Sequence, residues 1–193
     1  AGLTIRGIPS HSPAGGSVTS GAASAAVYVD GVYEGIGGDY DIDRVEVLRG
    51  PQGTLYGRSA TSGLVATHTF NPDLGHVGGN AAVELGNYAL QHYTAAVNVP
   101  LVNDVLGIRV AGNRYERNGY DSAAGGALTT TDGKVKLLFK PNERLSVLFG
   151  AALQNNITHS GGVTITQPSP NVYSYTPTPV APGSNDYRQY WAE

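Results

Sequence analysis

Apolar and polar residues alternate with a period of two through most of the second half of the chain. Five consecutive segments each carry apolar residues on one face and polar residues on the other. These segments are 80–87, 92–101, 106–117, 134–140 and 145–155. A period of two is the period of a β-strand with two different faces. The pattern therefore predicts five consecutive antiparallel strands, and the aromatic residues within 187–191 indicate the start of a sixth.

The connections between these segments alternate between short and long. Residues 102–105 and 141–144 form short turns, whereas residues 119–132 are longer and rich in Gly. Outer-membrane barrels have short turns at one end and long loops at the other, and strands of about 9–11 residues cross the bilayer at a tilt. The pattern thus fits membrane strands, with the Pro-, Ser-, Thr- and Tyr-rich residues 160–185 as an exposed loop. A water-soluble antiparallel sandwich alternates in the same way and remains an alternative.

The first 70 residues contain short apolar runs broken by Gly and Ser. Residues 26–33 predict a β-hairpin, because Asp30 and Gly31 supply the positive φ angles that a two-residue turn requires. Residues 42–48 alternate apolar and charged side chains and predict either a short helical turn leading into a strand or a strand throughout. Residues 50–53 then break the chain. We predict a small mixed sheet with short helical turns here.

The composition suits a β-rich protein that faces something other than water over part of its surface. Charged residues make up 14% of the chain, against about a quarter in a typical soluble domain, and Gly and Tyr are abundant. The formal net charge of −3 predicts no nucleic-acid partner. The absence of Cys excludes disulfides and thiolate metal sites.

No residue pattern indicates catalysis, a metal or a cofactor. Asp39, Asp41 and Asp43 have the spacing of the first ligands of a calcium loop, but Arg44 and Gly50 stand where that loop needs Gly and Glu. The Gly-rich run that follows lacks the Lys-Ser/Thr pair of a phosphate loop. The five histidines show no paired spacing, and no nucleophile–base pair can be assembled. We therefore predict that the chain is not an enzyme.

Residues 43–58 read Asp-Arg-Val-Glu-Val-Leu-Arg-Gly-Pro-Gln-Gly-Thr-Leu-Tyr-Gly-Arg and resemble the plug motif of TonB-dependent outer-membrane receptors. The motif positions are Glu46, Gly50, Pro51, Tyr56 and Gly57. Upstream, residues 5–7 are similar to an early Ile-Arg-Gly element of the family, and residues 27–32 to its Tyr-Val-Asp-Gly-Val hairpin. The resemblance implies a partial plug domain at residues 1–75. Residues 76–193 are then the first five or six strands of a transmembrane β-barrel, with an extracellular-type loop at about 156–186.

The resemblance also implies a mechanism and a location. Family members form a 22-stranded barrel in the bacterial outer membrane, filled by the plug. They take up a scarce ligand such as a siderophore–iron complex, cobalamin or a carbohydrate. A TonB-type energy-transducing protein pulls on a peptide at the plug N-terminus, which we expect to be absent from this sequence. The expected partners are therefore outer-membrane lipid, this protein and an unidentified small-molecule ligand.

In the family, the arginines of two Arg-Gly elements point into the barrel wall and pair with carboxylates there. Arg6 and Arg49 match those positions, which implies that they lock the plug to the barrel. A guanidinium binds a carboxylate bidentately and directionally, which suits a docked but displaceable plug. The alternative is that both arginines form ordinary salt bridges within the plug.

Five or six strands alone leave two open sheet edges in lipid. Each unpaired backbone group there costs several kcal/mol, so the total reaches the order of tens of kcal/mol. That exceeds the ~5–15 kcal/mol stability of a domain. We therefore expect either a fragment of an uptake receptor or, alternatively, a truncated receptor-like structural or interaction subunit whose edges are covered by partners.

Overall fold

All regular structure in the described residues is β-strand. The computed structural model describes residues 4–5, 8–9, 25–33, 35–50, 63–120, 126–159, 162–169, 172–178 and 181–193. Among these residues, no helix has the length and apolarity needed to cross a bilayer. The short helical turns that the sequence predicted are not found in this part of the chain. The chain divides into two units, Ala1–Phe70 and Asn71–Glu193.

The first unit contains six described strands. They are β1 (Thr4–Ile5), β2 (Ile8–Pro9), β3 (Ala25–Val29), β4 (Val32–Tyr33), β5 (Ile42–Arg49) and β6 (Gly63–Thr69). β1 pairs with β2, and the other four form a sheet in the order β4-β3-β6-β5. β3 and β6 run parallel and the remaining pairs are antiparallel, so the predicted mixed sheet is confirmed. Its small core consists of Ala26, Tyr28, Leu64 and Ala66.

The Asp30–Gly31 turn joins β3 and β4 as predicted. Asp30 has φ 46° and Gly31 has φ 75°, the left-handed values that this turn needs. The Asp30 carboxylate is buried and accepts hydrogen bonds from the Thr69 backbone N–H at 2.8 Å and the Thr69 hydroxyl at 2.7 Å. The turn is therefore fastened to the end of β6, two strands away in sequence order.

The second unit contains eight strands. They are β7 (Gly78–Gly86), β8 (Leu90–Val102), β9 (Leu106–Arg117), β10 (Leu128–Asn142), β11 (Leu145–Thr158), β12 (Gly162–Ser169), β13 (Val172–Thr178) and β14 (Gly183–Ala192). Six of them form an antiparallel sheet in the order β14-β11-β10-β9-β8-β7. The five predicted strands and the predicted sixth are therefore present, and each pairs with its neighbour.

Within residues 160–185, which we predicted to be an exposed loop, β12 and β13 form a separate two-stranded hairpin that the prediction did not include. Pro168 and Pro177 lie in these strands. Proline is tolerated there because both strands of an isolated hairpin are edges, where a missing N–H need not break a ladder. Pro-rich composition therefore concealed the strands.

Candidate functional site: a sheet with its polar face inside

In the six-stranded sheet, many apolar side chains are exposed and many polar side chains are buried, which is the opposite of a water-soluble protein. Twelve of its large apolar side chains are 36–71% exposed. They are Val83, Leu85, Tyr93, Val97, Leu101, Val110, Val135, Phe139, Leu145, Phe149, Leu153 and Tyr190. A water-soluble sandwich buries such residues against a second layer. The soluble alternative therefore does not fit this arrangement.

The same sheet buries polar and charged residues beside three alanines and Leu148. Asn98, Asn113, Asp132, Lys134 and Lys136 are each at most 6% exposed. Charged side chains are almost never buried to this degree unless they are paired. One face of this sheet is therefore polar and largely buried, and the other face is apolar and exposed.

The strand register explains how these polar residues come together. Residues directly opposite each other on antiparallel strands share a face. Asn113 lies opposite Asp132, and Arg109 lies opposite both Asn98 and Lys136. The polar positions of successive strands thus form rows that run across the sheet.

One row continues as a chain of side-chain contacts from β7 to β10. Glu84 Oε2 lies 3.3 Å from His92 Nδ1, and His92 Nε2 lies 2.8 Å from Asn113 Oδ1. Asn113 Nδ2 then donates a hydrogen bond of 2.8 Å to Asp132 Oδ2. Partnered in this way, polar groups can be buried without the full desolvation cost. The alternation predicts a polar face on each strand, but it gives no sign of this continuous contact between strands.

At the other side of the sheet, a glycine makes room for the single tryptophan. A Cβ at Gly150 would lie 2.1 Å from Trp191 Cε2, so only Gly allows the indole to lie against β11. Lys136 Nζ lies 6.0 Å from the centroid of that ring and donates a hydrogen bond of 3.0 Å to Asn71 Oδ1. Lys136 is thus buried between an amide oxygen and an aromatic face, both of which favour a cation.

An aromatic cluster lies at the end of the sheet that carries the longer connections. The rings of Tyr88 and Tyr120 meet edge to face with centroids 4.9 Å apart. Arg117 Cζ lies 4.4 Å from the centroid of Tyr120, and Arg117 Nη2 donates to the Gly126 carbonyl at 3.1 Å. Sequence reasoning missed this cluster because its members lie in a turn, a strand end and a loop.

The predicted plug-motif residues are only partly described. Glu46, Arg49 and Gly50 lie at the end of β5 and just after it. Arg49 is exposed, and Gly50 has φ +90°, a conformation that favours glycine. The remaining predicted positions lie outside the described residues; they are Arg6, Pro51, Tyr56 and Gly57.

Glu46 takes part in a small ionic cluster on β5 and β6. It accepts a hydrogen bond of 2.8 Å from Arg44 Nε, and its carboxylate lies 3.6 Å from His68 Nε2. The hydrogen bond from Arg44 lowers the pKa of the Glu46 carboxyl and raises the pKa of Arg44. Among the described residues, no group of three or more His, Asp or Glu side chains could hold a metal ion.

Comparison with known proteins agrees with this architecture. A family model described as "TonB-dependent Receptor Plug Domain" matches residues 1–64. The chain is 46% identical to the pesticin receptor of Yersinia enterocolitica over 54 residues, which is 26% of this chain and 8% of that receptor. Residues 1–64 are thus similar to the plug domain of TonB-dependent receptors, and the strand architecture of the chain resembles that of a plug domain followed by the first strands of a barrel.

Two solved structures share the fold. The ferric yersiniabactin uptake receptor FyuA from Yersinia pestis superimposes with a TM-score of 0.63 at 26% identity, over 70% of this chain and 23% of that one. The ferripyoverdine receptor of the outer membrane of Pseudomonas aeruginosa gives a TM-score of 0.66 at 17% identity, over 86% of this chain and 25% of that one. The chain thus spans about a quarter of these receptors and less than a tenth of the curated relative.

Proposed function

We propose that this chain is part of an energised uptake receptor that carries a ferric siderophore across the bacterial outer membrane. The observation that carries the proposal is the inverted burial of the six-stranded sheet. Its exposed apolar face suits lipid, and its buried polar face suits the lumen of a barrel. In this proposal, residues 76–193 contribute the first wall strands and residues 1–75 contribute the plug.

The ligand class is proposed from the relatives. The solved relative that is 26% identical is named as a ferric yersiniabactin uptake receptor, and the second takes ferripyoverdine. Both ligands are iron bound to a siderophore. We therefore favour a ferric siderophore over cobalamin or a carbohydrate.

We further propose that energy reaches the receptor through a TonB-type protein that pulls on a peptide at the plug N-terminus. Arg6 and Arg49 would hold the plug against the barrel wall through carboxylates. The exposure of Arg49 leaves its guanidinium accessible to such a partner. Bidentate guanidinium–carboxylate pairs are strong enough to position a plug and weak enough, as single contacts, to be released.

Uptake by whole cells tests the function. Cells that lack the receptor gene would be complemented with it and supplied with radioactive iron on a panel of siderophores. We expect uptake of at least one ferric siderophore, and we expect that uptake to be lost when the TonB-type protein is removed. Uptake that persists without that protein, or uptake of cobalamin or a carbohydrate in place of every iron complex, would refute the proposal.

The native mass of the protein distinguishes the receptor from a truncated subunit. The present sequence accounts for 20.0 kDa, about a quarter of the length of the solved relatives. We expect mass spectrometry of the purified native chain to give a mass several times larger. A native mass near 20 kDa would favour the structural-subunit alternative.

The locking role of Arg6 and Arg49 is tested by leakage. We expect Arg6→Ala together with Arg49→Ala to loosen the plug and to admit a large antibiotic that the outer membrane normally excludes. Arg44→Ala is a matched control, because Arg44 pairs with Asp43 and Glu46 on its own strand. Equal leakage in wild type, double variant and control would show that the two arginines do not lock the plug.

A further inference from the structure

The first six residues of the second unit, which we call the strap (residues 71–76), are fastened to the polar face of the sheet. One buried side chain, Asn98 on β8, makes three hydrogen bonds to the strap backbone. Asn98 Oδ1 accepts from the Asp73 N–H at 2.8 Å, and Asn98 Nδ2 donates to the carbonyls of Asp73 at 2.9 Å and His76 at 2.7 Å. Asn98 is 3% exposed, so these bonds are shielded from competing water.

Other strands hold the strap as well. The Asp104 N–H, in the β8–β9 turn, donates to the Leu74 carbonyl at 3.1 Å. Lys136 on β10 donates to Asn71 Oδ1 at 3.0 Å. At Gly107 on β9, a Cβ would lie 2.9 Å from Leu74 Cδ2 and 3.3 Å from the Asp73 carbonyl oxygen, so the strap passes close to the β9 backbone, and a side chain here would displace Leu74 and crowd that carbonyl. The strap is therefore held by three strands and one turn of the sheet.

The strap also has an internal turn. The Asp73 carboxylate accepts a hydrogen bond of 2.7 Å from the Gly75 N–H and lies 3.1 Å from His76 Nδ1. This Asx-type turn fixes the backbone conformation that Asn98 recognises. Consequently, the strap loses less conformational entropy when it binds to the sheet than a free peptide would.

We propose that the strap is a fixed anchor that ends the movable part of the plug, and that Asn98 is the positioning residue that holds it. This inference rests on the proposed function, in which a pull on the plug N-terminus drives uptake. The pull would rearrange residues of the first unit and stop at Asn71, so that β7 and the barrel wall remain folded.

If the first unit is to open before the strap is released, its strands must be less stable than those that hold the strap. Three of the described strands of the first unit are only two residues long. The strap, in contrast, is tied to strands of 12 to 15 residues within a continuous sheet. Strands of two residues form few backbone hydrogen bonds and open at lower free energy than long strands within a continuous sheet.

Hydrogen–deuterium exchange on the full chain in lipid vesicles tests the clamp. We expect Asn98→Ala to speed exchange in residues 71–77 by at least about tenfold, because three buried hydrogen bonds are removed. Asn98→Asp, which keeps the acceptor and loses both donors, should have a similar effect without a cavity. Asn113→Ala is the matched control, since Asn113 is equally buried on the same face but contacts His92 and Asp132 instead. Exchange of the strap that is fast in wild type, or equal in Asn98→Ala and Asn113→Ala, would overturn the clamp.

Single-molecule pulling from the N-terminus tests the anchor. In wild type, we expect the first extension to end before residue 71. Asn98→Ala should lengthen it by about 20 Å, the span of six extended residues. A wild-type extension that already includes the strap would refute the anchor. Neither experiment requires a ligand or a TonB-type protein, so a failed anchor and a failed uptake proposal give different results.

Discussion

At the scale of single residues, the Asp30–Gly31 pair shows what the sequence could and could not predict. The turn followed from local chemistry, because few residues besides Gly, Asn and Asp adopt positive φ readily. The second role of Asp30 did not follow. Its carboxylate binds Thr69, which is 39 positions away and therefore invisible to a local pattern.

We expect Gly31→Val to destabilise the protein by about 1–3 kcal/mol, because a β-branched residue is strained at φ 75°. Gly31→Asn is the control, since Asn tolerates this conformation. Unfolding by a chemical denaturant, followed by far-UV circular dichroism, would measure the difference in the free energy of unfolding. A denaturation curve for Gly31→Val that matches the wild-type curve would contradict the assignment of the turn.

Replacing Asp30 separates its side-chain role from its turn role. We expect Asp30→Ala to cost about 2–4 kcal/mol, because it removes two hydrogen bonds to a carboxylate in a buried site and places Ala at φ 46°. Asp30→Asn keeps the turn and an acceptor for the Thr69 N–H, so it should cost less. Equal losses in the two variants would show that the hydrogen bonds to Thr69 contribute little.

At the scale of elements, period-two alternation predicted the long strands well and the short ones poorly. β8 to β11 each exceed ten residues, so their alternation was repeated often enough to be distinctive. The pattern of residues 42–48 fits either a helical turn leading into a strand or a strand throughout, and β5 is a strand throughout because it pairs with β6 along most of its length. That pairing depends on tertiary structure, which propensity alone does not contain.

The fold lowers the pKa of one side chain in the strap, the Asp73 carboxyl. The hydrogen bond from the Gly75 N–H, followed by the contact with His76, holds the pKa of the Asp73 carboxyl below its ordinary value of 3.8. A carboxyl whose pKa is lowered by folding stabilises the folded turn at pH values above that ordinary value. This contribution is lost as the pH falls below about 4 and through the lowered pKa.

We therefore expect the carboxyl ¹³C shift of Asp73 to titrate below pH 3.8 in the folded chain. His76→Ala should raise this midpoint part of the way back, because the backbone hydrogen bond from Gly75 remains. A midpoint at or above the ordinary Asp value would show that the turn does not form in solution.

At the scale of the whole molecule, the sequence predicted a sheet with two unlike faces but could not say which face meets which medium. Alternation fixes only that successive side chains point to opposite sides. The burial of Lys134 and Lys136, together with the exposure of the apolar face, supplies the missing direction. Rows of polar contacts such as Glu84–His92–Asn113–Asp132 were equally out of reach, because they depend on the register between strands.

A charged substitution on the apolar face can distinguish whether water or lipid covers that face. Val110 lies near the middle of β9 and is 49% exposed. In water, replacing so exposed a residue by Lys would change stability by less than about 0.5 kcal/mol. In a bilayer, a Lys at the midplane costs about 2–4 kcal/mol, falling to about 0–1 kcal/mol near the interface.

We therefore expect Val110→Lys to cost about 2–4 kcal/mol in urea-dependent folding of the full receptor chain into lipid vesicles. Leu101→Lys, next to the short β8–β9 turn and 53% exposed, should cost about 0–1 kcal/mol. The comparison between the two positions matters more than either value, because exposure is nearly the same and only the depth in the membrane differs. Two equal and small losses would mean that water, and not lipid, covers this face, and the receptor interpretation would lose its main physical support.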